Sequence, residues 1–299
     1  MLRLAALLGI LIIGPSARAD IIISNYTDVT NDRFSNDGAF FLSTFDLSGV
    51  GQTVGGGRWA TAISRNVVIG AFHSTPGGVV EFYPDNDPSS TPVQRNLLAG
   101  QQIPGTDLVL VPLNEDLPSS ITHYQFAQEA IAGTLPGAMP PFPVDPAGIY
   151  QDAIAIMAGL SPAVHPETRD QAFGANRITG YSENVPTGNS DHDSLLLEFD
   201  PMAHADAQMF EAFLQGGDSG APAFVENGGQ LRLVGTNSFV YGDGDFTNPG
   251  QGSGINYTGN QAAFINDFIA LHASVPEPSS FGFLFLFSTC LTRRRARAV

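Results

Sequence analysis

Lysine is missing from the chain altogether, cysteine occurs once, and charged residues of all kinds make up only 14% of its 299 positions. Each shortage excludes something. A lone Cys290, placed in the C-terminal apolar stretch, leaves the rest of the chain without an internal disulfide, so any globular region is held by its core. Without lysine, all formal positive charge rests on 13 arginines, and six of these sit at the two ends (Arg3, Arg18, Arg293, Arg294, Arg295 and Arg297). Between Asp20 and Pro276, seven arginines face 28 acids, a balance of −21. A surface of that sign repels nucleic acid and anionic lipid, which argues against a nucleic-acid partner. Long hydrophobic runs are also lacking: the two apolar stretches, Leu4–Gly14 and Phe281–Leu291, fall short of a ~30 Å bilayer core at ~1.5 Å per helical residue.

Glycine and proline are plentiful, 33 and 21 residues, which favours many short strands and turns over long helices. The length suits one large domain or two small barrels sharing an interface. The most informative stretch is Gly216-Gly217-Asp218-Ser219-Gly220-Ala221-Pro222. Glycines flanking a serine allow positive φ and a tight bend, lifting a hydroxyl out of the chain and turning N–H groups toward one point. A nucleophile needs that arrangement, although a plain glycine-rich turn has the same composition. Upstream, Asn66–Ser74 reads as a buried strand running into a small-residue turn that ends in His73. Gly105–Leu113 places Asp107 at the head of an apolar strand.

The order His73, Asp107, Ser219, with the flanks Gly-Ala-Phe-His, Asp-Leu-Val-Leu and Gly-Asp-Ser-Gly-Ala-Pro, resembles the trypsin/chymotrypsin-like serine proteases, over roughly Ile21 to Ala273. The last motif departs from the family in having Ala221 for its second glycine. The resemblance implies an all-β fold of two six-stranded antiparallel barrels with a C-terminal helix. It implies Ser219 as nucleophile, His73 as general base and then acid, Asp107 as the group orienting the imidazole, and the N–H groups of Gly217 and Ser219 as oxyanion hole. It also puts Phe213 at the floor of the side-chain pocket, Ser238 beside Asp107, and Phe239 and Val240 on the pocket wall. With no carboxylate there, a peptide or protein substrate with small or apolar side chains is expected. Ile21-Ile22-Ile23-Ser24 does not match the family's activating N-terminus, which leaves Asp218 to an arginine such as Arg177 or to solvent.

Met1–Ala19 reads as a signal peptide, with cleavage expected before Asp20. Residues 20–118 read as the first barrel, with strands at Ile21–Ser24, Phe40–Phe45, Trp59–Ile63, Val67–Phe72, Val79–Tyr83 and Leu108–Leu113 and turn clusters at Gly51–Gly57 and Pro84–Pro92. Residues 119–274 read as a proline-punctuated crossover followed by the second barrel. That part holds strands or short helices at Ile149–Leu160, Arg177–Tyr181 and Ser194–Phe199, and a loop at Ser182–Asp193. A short helix is expected at Ala205–Leu214, strands at Leu231–Gly235 and Asn237–Tyr241, and a helix at Gly259–His272. Asp85-Asn86-Asp87 lacks the glycine and glutamate of a calcium loop, and Asp191-His192-Asp193 reads as a solvated turn, so no metal or other cofactor is expected.

The tail, residues 275–299, carries Val-Pro-Glu-Pro-Ser-Ser, a short apolar run and an arginine cluster. It resembles the PEP-CTERM sorting signal. That implies export across an inner membrane, transient insertion of the tail with arginines inside, processing by an exosortase-like transpeptidase, and a final place at the cell surface or in the matrix. Two other readings compete with an exported endopeptidase. One is a catalytically silent module of the same fold, binding at the cell surface or in an exopolysaccharide matrix. The other, an esterase, is weaker because no Gly-x-Ser-x-Gly elbow is present.

Overall fold

The structure, a computed structural model, describes residues 20–35, 38–135, 144–186, 190–200, 208–242 and 250–273. The stretches read as a signal peptide and a sorting tail, residues 1–19 and 275–299, therefore lie outside the described residues. Among the described residues, no helix is long and apolar enough to cross a membrane.

The chain begins with a two-residue strand, β1 (Ile22–Ile23), and a single helical turn, α1 (Asp28–Asn31), capped by the Thr27 hydroxyl. The first sheet follows: β2 (Val50–Thr53), β3 (Trp59–Ala62), β4 (Val67–Ala71), β5 (Val79–Phe82), β6 (Val93–Asn96), β7 (Gln101–Gln102) and β8 (Leu108–Pro112). Their order is β6-β5-β2-β3-β4-β8-β7, all antiparallel. The sheet also curls back on itself. Just past β6, Leu97 bridges Leu113; the Leu98 N–H reaches the Pro112 carbonyl at 2.9 Å and the Asn114 N–H the Asn96 carbonyl at 3.0 Å. With β6 and β7 as two parts of one bent segment, six strands close a barrel.

The second barrel is formed by β9 (Ile154–Gly159), β10 (Ala172–Pro186), β11 (Asp191–Glu198), β13 (Pro222–Asn227), β14 (Gln230–Tyr241) and β15 (Gly252–Tyr257), closed in the order β10-β11-β15-β14-β13-β9. Between β11 and β13 lies the short β12 (Ala212–Phe213), which pairs with β1 outside the barrel. A C-terminal helix, α2 (Ala262–His272), completes the all-β, two-barrel fold. The apolar runs Val67–Ala71 and Leu108–Pro112 are buried at every position, as strands covered on both faces must be.

One hydrophobic cluster spans both barrels. It joins Trp59, Ile69, Leu108 and Leu110 of the first to Ile156, Phe224 and Leu233 of the second, and takes in Ile265 and Phe268 from α2. A buried arginine strengthens the join. Arg33 donates to the carbonyls of Val50 (3.3 Å) and Tyr83 (2.8 Å) on one side and to Gln171 Oε1 (3.0 Å) on the other. Burial without a carboxylate partner among these contacts brings its pKa down to about 10.

Several local expectations are overturned. Phe40–Phe45 forms turns, not a strand, although Phe40 and Leu42 are buried in the core. The cluster Gly51–Gly57 opens with a true strand, β2. Its Gly51 is needed there because a Cβ would lie 2.6 Å from the ring of Phe82 on the paired neighbouring strand β5. Ser182–Asp193 is mostly strand, the two arms where β10 meets β11. The helix expected at Ala205–Leu214 begins in residues outside the described set, and its described end is β12, drawn into pairing with Ile22 and Ile23.

Candidate active site

His73 follows β4 and Asp107 precedes β8. Because these strands are paired antiparallel, with Ala71 opposite Leu108, the end of one lies beside the start of the other. The two side chains meet there. His73 Nδ1 lies 2.5 Å from Asp107 Oδ2, and the His73 backbone N–H donates to Asp107 Oδ1 at 2.8 Å. Asp107 is 1% exposed, and the imidazole keeps one quarter of its surface open. Burial alone would raise the Asp107 pKa. The hydrogen bonds from the His73 ring and backbone, with the nearby His73 and His192, outweigh it and hold the carboxyl below its usual range. Across the interface, the Asn256 amide oxygen of β15 accepts from the backbone N–H groups of Asp107 (3.2 Å) and Leu108 (3.3 Å).

Ser219 lies half-buried on the loop between β12 and β13, and that loop is fixed from three sides. Its Gly220 has φ +88°, and a Cβ there would stand 2.9 Å from the Ala71 backbone nitrogen. Only glycine allows both that φ and that approach, which brings the serine loop against the strand leading to His73. Gly220 N–H donates to the Asn237 carbonyl, and Asn237 N–H donates to the Ala221 carbonyl, both at 2.8 Å. From the first barrel, the Trp59 indole N–H donates to the Gly217 carbonyl at 3.1 Å. With that carbonyl turned toward Trp59 and Gly217 at φ +114°, no acceptor among the described residues meets the backbone N–H of Gly217 or Ser219.

Beside Ser219 opens a cleft of about 130 Å³ lined by Leu214, Gln215, Gly216, Ser219, Ser238, Phe239 and Val240. Ser238, Phe239 and Val240, which the resemblance assigns to the pocket, are among these lining residues. Phe213 does not line this cleft. Its backbone is held in β12 opposite Ile22, and its buried ring packs edge-on against Phe199 at 5.7 Å. Leu214 and Gln215 take the place expected for it. Among the described residues, no charged side chain lines the cleft.

Asp218 meets neither of its expected fates. It is wholly buried, and its carboxyl accepts from the backbone N–H groups of Leu160 (2.8 Å) and Gln215 (2.7 Å). Arg177 lies instead by Glu211. Burial raises the Asp218 pKa to about 8; the two N–H groups oppose the rise, and the nearby acids Asp20 and Asp170 add to it.

His192 is the residue that sequence reasoning missed. Asp191-His192-Asp193 is the start of β11 and not a solvated turn. The strand's alternation leaves Asp191 exposed and Asp193 half-buried while it buries His192. His192 Nε2 lies 3.2 Å from Ser238 Oγ, which in turn donates to Asp107 Oδ2 at 3.3 Å. The available signal was the apolar run Leu195-Leu196-Leu197, a buried-strand signature that could have been extended backward through Ser194 to Asp191. Among the described residues, no group of three or more His, Cys, Asp or Glu side chains is placed to hold a metal ion.

No protein-family model matches the chain, and no curated protein sequence matches it. Among solved structures, the chain is similar to neuropsin, a serine protease expressed in the limbic system of mouse brain. The identity is 13%, the match covers 74% of this chain and 94% of that one, and the TM-score is 0.48.

Proposed function

We propose that the protein is a serine endopeptidase that hydrolyses peptide bonds through Ser219, His73 and Asp107. The observation that carries this reading is the His73–Asp107 pair at 2.5 Å, next to a strand end on which the Ser219 loop is packed through Gly220. A serine hydroxyl is hardly ionised at neutral pH, so a base must take its proton as it attacks. His73 takes that proton while Ser219 Oγ bonds to the carbonyl carbon, and Asp107 stabilises the imidazolium that forms. The C–N bond then breaks as His73 returns the proton to the leaving amine. Water repeats the sequence on the acyl-enzyme and releases the acid. The unengaged N–H groups of Gly217 and Ser219 suit the developing oxyanion, where one such donor contributes about 3–4 kcal/mol.

A cleft with no charge and walls of Leu214, Phe239 and Val240 supports a preference for apolar or small side chains. The leader and tail motifs support export and surface sorting of this enzyme, with the tail as the substrate of an exosortase-like transpeptidase.

The test is labelling of the purified full chain with a fluorophosphonate, with Ser219→Ala alongside. Labelling of the parent that disappears in Ser219→Ala is expected, followed by cleavage of a peptide library after small or apolar residues. A folded parent that takes no label overturns the hydrolase reading, and strict cleavage after Arg or Lys overturns the specificity.

A further inference from the structure

We infer that His192 is a positioning residue for this site, holding the Ser238 hydroxyl on the Asp107 carboxylate through its own Nε2–H. The inference rests on the endopeptidase reading above. Four groups stand in line: His73 Nδ1 is 2.5 Å from Asp107 Oδ2, that oxygen is 3.3 Å from Ser238 Oγ, and Ser238 Oγ is 3.2 Å from His192 Nε2. Proton accounting then fixes the direction of each bond. An ionised Asp107 can only accept, and Ser238 has a single O–H to give. With that proton on Asp107, the hydroxyl turns a lone pair to His192, so Nε2 must carry the hydrogen. The opposite tautomer would draw the Ser238 proton away and leave a hydroxyl lone pair facing a buried carboxylate, a repulsive contact in a site shielded from water.

His192 is held firmly enough for this task. It is buried at 1% exposure, and its ring lies 5.7 Å from that of Phe239, the residue next to Ser238. The titratable groups acting on it are Asp107 and His73 from the first barrel and Asp191 and Asp193 from its own strand. Burial is the largest influence and drives its pKa down; the three carboxylates pull it up and His73 pushes it down, with a net fall. A neutral His192 matters to the reaction. A second imidazolium two hydrogen bonds from Asp107 would draw on the same negative charge that stabilises His73 as it takes the serine proton.

The experiment compares the full chain with His192→Leu and His192→Gln, the latter able to offer an N–H in place of Nε2–H. Two measurements are taken: the imidazole titration of His73 by NMR, and the pH profile of peptide hydrolysis. His192→Leu frees the Ser238 hydroxyl and leaves Asp107 less well neutralised. The His73 titration is expected to move to higher pH, the acid limb of kcat/KM to move with it, and kcat to fall roughly tenfold with KM unchanged. His192→Gln is expected to recover most of the loss. Should His192→Leu fail to fold, Ser238→Ala removes the same link and is expected to move the His73 titration in the same direction. An unmoved His73 titration in the folded variants overturns the inference, as does a loss confined to KM. A shifted titration in a protein whose Ser219 takes no fluorophosphonate supports the hydrogen-bond chain and places the failure with the endopeptidase reading.

Discussion

Two buried aspartates, Asp107 and Asp218, border the same serine loop and are treated in opposite ways. Asp107 opens a strand of the first barrel and receives a histidine ring, a backbone N–H and a serine hydroxyl, which together hold its carboxyl ionised. Asp218 sits in the loop itself and receives only two backbone N–H groups on its side chain, so burial wins and its pKa rises to about 8. The lesson is that burial alone does not decide the charge of a carboxylate. The number and charge of its donors do. One acid stays ionised against a histidine ring, as the proposed reaction requires; the other, with a pKa of about 8, acts as a hydrogen-bond hub for the loop.

The largest effect is expected from exchanging an acceptor for a donor at the first of these. Asp107→Asn keeps the size of the side chain but places an amide against His73 Nδ1, stabilising the wrong tautomer. kcat for peptide hydrolysis is expected to fall about 10⁴-fold with KM little changed, and the fluorophosphonate reaction to slow in parallel. A variant within tenfold of the parent would remove Asp107 from the role assigned to it.

The next effect tests the seam between the two acids' surroundings. Gly220 lies two residues beyond Asp218 and touches Ala71, two residues before His73. Gly220→Ala imposes a positive φ on an L-residue, costing roughly 1–2 kcal/mol, and forces the loop off the Ala71 backbone as well. The melting temperature is expected to drop by about 2–8 °C for a protein of this size, with activity falling further than stability because Ser219 moves relative to His73. Gly216→Ala is the matched control. A Cβ there meets nothing within 4 Å, so equal losses in the two variants would contradict the close-approach argument.

Much of this was legible in the sequence, and the legible parts share a cause. His73, Asp107 and Ser219 each sit where a strand meets a turn, and runs such as Val67–Ala71 and Leu108–Pro112 carry their own apolar signature. Ser238, Phe239 and Val240 were named from the resemblance carried by Gly-Thr-Asn-Ser-Phe-Val, and they line the cleft from β14. What escaped depends on contacts between distant segments. β2 hides in a glycine-rich stretch because its Gly51 makes room for the Phe82 ring of the neighbouring strand β5. Phe213 was misplaced by one residue, since β12 is drawn outward by Ile22 and Ile23, nearly two hundred positions earlier. His192 was masked by its two acidic neighbours, whose polarity describes the outer face of β11 and not the inner one.

The smallest expected effect concerns Asp218 and separates the two acids by the sign of a slope. A carboxyl whose pKa is raised in the folded state favours the protonated form. Its contribution to stability is full below the unfolded value near 3.8 and is lost as pH climbs through about 8. Asp107, with its pKa lowered, contributes in the opposite sense: its share is present above the unfolded value and is lost as pH falls through the folded one. Asp218→Asn retains an oxygen for the N–H of Leu160 or Gln215 and removes the titration. Measured by denaturant unfolding across pH 4 to 8, the parent is expected to lose stability relative to Asp218→Asn as pH rises, so that the variant gains its advantage toward pH 8. The parent minus Asp107→Asn difference, followed down to about pH 2, is expected to change the other way, growing in the parent's favour as pH rises toward the unfolded value near 3.8 and staying level above it. Should the Asp218→Asn difference stay flat, a cation must reach that carboxylate in solution, and the contrast between the two buried acids would collapse into a single pattern of paired charge.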